Sequence, residues 1–136
     1  MKALLVSSGG EVKELMGRSA LGARLRLGPD AEVELVEAPN GRVGVEAAWR
    51  ERPDVVIAEE ITSPAGAFSL TKELRDSDPP YTGAIVILLE RPEDAWLARW
   101  AGADAWFVRP VDPFALGETI GDLLAERADD MHKEAG

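Results

Sequence analysis

Short apolar runs alternate along the chain with segments whose apolar residues recur at helical spacing. Ala3–Ser7 (ALLVS) reads as a first strand. Val12–Leu27 follows with apolar residues at Val12, Leu15, Met16, Leu21, Leu25 and Leu27, a helical pattern interrupted by Gly17 and Gly22. In Glu32–Ala38 the apolar Val33 and Leu35 alternate with Glu32, Glu34 and Glu37, the pattern of a half-exposed edge strand. After a turn at Pro39–Gly41, a helix is predicted over Val43–Arg50, ended by Pro53. Asp54–Ala58 (DVVIA) and Ala84–Leu89 (AIVILL) are apolar without alternation, as strands covered on both faces are. Phe68–Arg75 is helical, and Pro92–Ala101 opens a helix with proline in the favoured first turn. Ala105–Val108 (AWFV) is a fifth strand, and Pro113–Arg127 a last amphipathic helix with a frayed polar tail over 128–136. Five strands alternating with five helices predict a parallel sheet with helices on both faces, in one domain over residues 1–127.

Composition narrows the chemistry. The chain of 136 residues carries 25 acidic and 15 basic side chains, a net charge of −10. That charge opposes phosphate backbones and anionic membranes, so neither nucleic acid nor membrane is an expected partner. There is no cysteine, which removes disulfides, thiol nucleophiles and cysteine metal sites. The one histidine, His132, lies in the tail, away from any metal or catalytic grouping. The run MKALLVSS is too short for a signal peptide and no long apolar segment follows, so a soluble cytoplasmic chain is expected.

Two features sit where open α/β sheets bind ligands, at the carboxyl ends of strands. The first is the pair Glu59–Glu60 closing PDVVIAEE. The second is the loop Ser7–Gly10 (SSGG), where backbone N–H groups can cradle phosphate but which matches neither the P-loop nor the GxGxxG pattern.

From Lys2 to about Arg127 the layout resembles the receiver domain of bacterial response regulators. PDVVIAE is similar to the family's third strand, which ends on the phospho-accepting aspartate, and AGADAWFVRP (101–110) is similar to its fifth-strand segment, with Arg109–Pro110 at the family's lysine–proline and its cis peptide bond. Pro113, Phe114 and Leu116 match the start of the last helix. The resemblance implies a flavodoxin-like, CheY-like doubly wound sheet of order 2-1-3-4-5 and a non-enzymatic module of two-component signalling.

Against that family pattern the chemical positions are changed one by one. Ser7 and Ser8 stand where two acids would hold Mg²⁺, and neutral hydroxyls cannot replace that charge around a hard cation. Glu59 replaces the acceptor aspartate with an arm one methylene longer, Leu89 replaces the hydroxyl residue closing the fourth strand, and Arg109 replaces lysine. Mg²⁺ binding is therefore expected to be lost, leaving no metal or other cofactor, and the degenerate phosphorylation site (Glu59, Ser7, Ser8, Leu89, Arg109) marks a pseudo-receiver. Two readings of Glu59 stand side by side. In one it mimics a phosphorylated acceptor by pairing with Arg109, with a bidentate geometry open to the fork. In the other, both are relics on a wet rim, worth about 0–1 kcal/mol. Glu60 is read as solvated.

The resemblance also implies that partners or a second copy dock on the surface of the 92–101 helix, the fifth strand and the last helix. Trp96, Trp100, Trp106, Phe114, Leu116 and Thr119 are the candidates there, since tryptophan is enriched at binding hot spots. Trp49 is expected to pack under its own helix, and the acidic EVELVE strip to guard a sheet edge. The function expected is a phosphorylation-independent adaptor working by protein–protein contact. The alternatives are an atypical receiver still taking phosphate or metal at Glu59, and a sensor of a nucleotide- or flavin-like ligand at the Ser7–Gly10 loop.

Overall fold

The computed structural model describes residues 1–7, 14, 33–60 and 66–135, with side chains up to residue 127. Five strands form one parallel sheet in the order β2-β1-β3-β4-β5: β1 (Lys2–Val6), β2 (Glu34–Ala38), β3 (Val55–Glu59), β4 (Ala84–Leu89) and β5 (Ala105–Val108). The register pairs Val6 with both Ala38 and Ala58, and Glu59 with Leu88. Between the strands run α1 (Gly41–Glu51), α2 (Ala67–Asp76), a 3-10 turn over Pro92–Asp94 leading into α3 (Ala95–Ala101), and α4 (Pro113–Ala135). The doubly wound order expected from the sequence is the one present. Of the helix predicted over 12–27, only Glu14 is described, and it is helical; the rest lies outside the described residues.

Side chains alternate across each strand, so the uninterrupted apolar runs supply both faces of the sheet. One face carries Leu4, Val6, Val56, Ala58, Ile85, Ile87 and Leu89 against Ala47, Ala48, Leu70, Leu74 and Ala98 of α1, α2 and α3. The other carries Leu5, Val55, Ile57, Val86 and Leu88 against Leu116 and Ile120 of α4. On α1 the small side chain is required at Gly44, because a Cβ there would lie 2.7 Å from Leu70 Cδ1 and 2.9 Å from Val6 Cγ2. Asn40 caps α1 by accepting the Val43 N–H at 3.0 Å. Trp49 is half-buried and meets Tyr81 edge to face at 6.3 Å, as expected of a packed residue. Glu34 and Glu37 on the edge strand β2 are exposed, which suits the guard role.

Two expectations are corrected here. The helix predicted from Pro92 begins as a 3-10 turn. The last helix continues past Arg127 to Ala135, because ADDMHKEA contains neither glycine nor proline and is rich in helix formers.

At the amino-terminal edge of the sheet, residues far apart in sequence are clasped around one carboxylate. Asp104 Oδ2 accepts from Arg75 Nη2 at 2.8 Å, from Arg127 Nη2 at 3.1 Å and from the Ile85 N–H at 2.8 Å. Arg75 also donates to the carbonyls of Tyr81, Gly83 and Gly102. This clasp ties α2, α4 and the loops before β4 and β5 together, leaving the opposite edge to carry the site.

Candidate functional site: a carboxylate edge closed by serine and arginine

β3 is buried from Val55 to Ala58, and its last residue, Glu59, emerges at the carboxyl edge of the sheet. Ser7 follows the neighbouring β1, and its backbone N–H donates to Ala38 O at 3.0 Å, which fixes its place at that edge. Arg109 follows β5, two strands away. Its backbone N–H donates to Leu89 O at 3.0 Å, and its guanidinium reaches Glu59 across the end of β4. The Arg109–Pro110 peptide bond is cis.

Both oxygens of Glu59 are engaged. Ser7 Oγ–H donates to Oε2 at 2.6 Å, and Arg109 Nη2 forms an ion pair with Oε1 at 2.8 Å. The Glu59 side chain is only 15% exposed and that of Arg109 27%. The ion pair is therefore shielded rather than on a wet rim. Arg109 turns a second nitrogen, Nε, toward Glu90 Oε1 at 3.4 Å. Glu90 is a participant that pattern reading passed over, although it directly follows the AIVILL strand. Ser8 and the rest of the Ser7–Gly10 loop lie outside the described residues.

Glu60 is not solvated as expected. It is half-buried, and its Oε2 accepts the Phe68 N–H at 3.4 Å in the first turn of α2, whose own N-cap, Gly66, has no side chain to do so. Burial pushes the Glu60 carboxyl above its ordinary value of 4.5, the Phe68 and Ala67 N–H groups pull it down by less, and Asp94 adds to the rise. The folded state then binds the Glu60 proton more strongly than the unfolded chain does. Its contribution to stability is full below the ordinary carboxylate pKa and is lost as pH rises through the higher folded value. Glu60→Gln keeps an acceptor for Phe68 and removes the charge. Its urea midpoint relative to the parent protein is expected to rise between pH 4 and pH 7; a difference that is flat or falls over that range would contradict the burial effect.

The predicted partner surface is brought together only in part. Trp96 and Trp100 are 63% and 59% exposed, and Phe114 is exposed at the start of α4. Lys72 of α2 stands over the Trp100 ring at 4.7 Å, while Arg99 stands over the half-buried Trp106 ring at 5.6 Å. Trp100 therefore meets α2 through Lys72. Thr119 is half-buried. Leu116 is a correction: it is fully buried in the core against β-sheet residues, because that face of α4 is the one applied to the sheet.

Among the described residues, no group of three or more histidine, cysteine or carboxylate side chains is placed to hold a metal ion. No helix among them is long and apolar enough to cross a membrane.

A five-stranded 2-1-3-4-5 sheet with an acid closing β3 and a cation after β5 defines the receiver class. Comparison with known proteins places the chain there. It is 35% identical over 128 residues to an uncharacterized response regulatory protein of Mycobacterium tuberculosis, covering 91% of each. It is 30% identical over 94 residues to Protein PilH of Pseudomonas aeruginosa, covering 68% of this chain and 78% of that one. The crystal structure of a CheY-like response regulator receiver domain protein from Methanospirillum hungatei superposes with a TM-score of 0.75 at 17% identity, over 95% of this chain and 97% of that one, a likeness of fold. No protein-family model matches the sequence. The chain belongs to the response regulator receiver family.

Proposed function

We propose that this receiver works without phosphorylation, as a non-catalytic cytoplasmic signalling or adaptor module held in one conformation by Ser7, Glu59 and Arg109. One observation carries this: both oxygens of Glu59 are already taken, by Ser7 at 2.6 Å and Arg109 at 2.8 Å. A carboxylate held on both sides is a poor nucleophile. The cation that would neutralise a transferred phosphoryl group is spent on Glu59 itself, and Ser7 brings no charge for Mg²⁺. Leu89 adds no hydroxyl for a phosphoryl oxygen. Output then passes through protein contact at the exposed Trp96, Trp100 and Phe114, with Trp106 and Thr119 at the margin. The occupant is a partner protein or a second copy of the chain.

Amide NMR spectra before and after addition of Mg²⁺ and beryllofluoride, the mimic of an aspartyl phosphate, test this. The expected outcome is an unchanged spectrum. Shifts clustered at Ser7, Glu59, Leu89 and Arg109 would establish instead the atypical receiver that accepts phosphate or metal at Glu59.

A further inference from the structure

α4 is longer than the sheet that it covers. Its 23 residues span about 34 Å, whereas the 6 residues of β4, the longest strand, span about 20 Å. From the carboxyl edge, α4 buries Leu116 and Ile120 and packs Leu123 and Leu124 against the same cluster. Arg127 stands where the helix reaches the amino-terminal edge, and its guanidinium is bonded on several sides. Nε donates to Thr82 O at 3.1 Å, and Nη2 donates to Gly83 O at 3.3 Å and Asp104 Oδ2 at 3.1 Å. Nη1 donates one turn back, to Leu123 O at 3.5 Å. Thr82 and Gly83 lie just before β4, and Asp104 just before β5. The surplus length of about 14 Å corresponds to roughly nine helical residues. Arg127 to Ala135 supplies them.

We infer that Arg127 is a positioning residue, the joint at which α4 leaves the sheet, and that its clasp on Asp104, Thr82 and Gly83 keeps residues 128–135 helical and pointed in one direction. Nothing in this depends on the Glu59 site. The physical cause is the cost of starting a helix. Segments shorter than ~12–15 residues are marginal by themselves in water, and 128–135 includes the weaker helix formers Asp129 and Asp130. These turns are helical as the extension of a helix already fixed. Among the described side chains, Arg127 is the last that ties α4 to the rest of the domain. A guanidinium suits the joint, since its separate nitrogens reach two loops at once. Arg75 bonds to the same Asp104 oxygen and to the carbonyls of Tyr81, Gly83 and Gly102, so α2 shares the joint. That half of the clasp remains when Arg127 is removed. The domain then stays closed while the last turns of α4 lose their base.

The test reads helicity residue by residue, from the Cα chemical shifts of the full chain. Arg127→Met keeps the apolar stem and removes the guanidinium. It is expected to cut the helical shifts of residues 128–135 by about half or more, as the end of the helix frays. The shifts of Leu116–Ile120 and the amide signal of Ile85, held by Asp104, are expected to stay. Asn40→Ala serves as the control, because it removes the cap of α1 and weakens the domain far from α4. The control is expected to leave 128–135 helical. Full helical shifts at 128–135 in Arg127→Met overturn the joint. So does a loss spread evenly along α4, or an equal loss in Asn40→Ala, since either would reflect general stability. If Arg127→Met does not fold, Arg127→Lys takes its place in the same comparison. It keeps a charge facing Asp104 but cannot span both loops, and the same results decide.

Discussion

Asp104→Ala is expected to lower the unfolding free energy by about 2–3 kcal/mol, somewhat less than the ~3–5 kcal/mol typical of breaking a fully buried ion pair. The discount reflects exposure: Asp104 is 25%, Arg75 19% and Arg127 28% exposed in their side chains. The loss is large because one carboxylate oxygen serves three donors. Removing it leaves two guanidinium groups facing each other without their counter-charge, and an Ile85 N–H without its acceptor. Burial already pulls the Arg75 pKa below its ordinary value, and Asp104 opposes that pull. The variant strands a partly desolvated cation. At about 2–4 °C per kcal/mol for domains somewhat larger than this one, the melting temperature should fall by roughly 5–12 °C. Asp104→Asn retains an acceptor for Ile85 and should lose distinctly less. Thermal and urea unfolding of both variants check this. Equal losses would show that the Ile85 hydrogen bond contributes little and that the lost charge carries the whole effect.

Placing acids at positions 7, 8 and 59 should create a metal response that is not expected of the parent chain. In Ser7→Asp/Ser8→Asp/Glu59→Asp, carboxylates replace the hydroxyl now 2.6 Å from Glu59 and its neighbour in sequence. Like charges about 4 Å apart repel by roughly 4 kcal/mol at an effective dielectric of ~20. Arg109 offsets part of this, so the variant without metal should be less stable than the parent by about 2–3 kcal/mol. Mg²⁺ binds the folded state only, and at a hundred times its dissociation constant it restores about 2.7 kcal/mol. The parent protein should melt at the same temperature with and without Mg²⁺. Equal Mg²⁺ stabilisation of parent and variant would show that serine does not stop the metal. No gain in the variant would show that more than the acids has been lost.

Much of the fold was legible in the residues because each feature rests on local chemistry. DVVIA and AIVILL are short, β-branched and free of alternation, which suits a strand covered on both faces, and AGADAWFVRP with its proline and glycine marks the last strand and the turn beyond it. Other features were not legible. Leu116 sits in an amphipathic helix whose rotation decides whether it meets a partner or the sheet, and periodicity defines a face without saying what covers it. Glu60 looks like any strand-end acid until the missing cap at Gly66 comes into register with it. The extension of α4 to Ala135 was obscured by its charge, which reads as a tail although every residue tolerates helix.

The order of the elements, the parallel sheet, its two-faced core and the serines at positions 7 and 8 were determined by the sequence alone. All of these follow from side-chain periodicity or residue identity at single positions. Tertiary structure alone decided that Glu59 is shared by Ser7 and Arg109, that Arg109 faces Glu90, and that Asp104 gathers Arg75 and Arg127. Those partners lie far apart along the chain, and their meeting depends on strand order and register. An ion pair or hydrogen bond exists only where the packed core brings both ends together, and no local pattern records that distance.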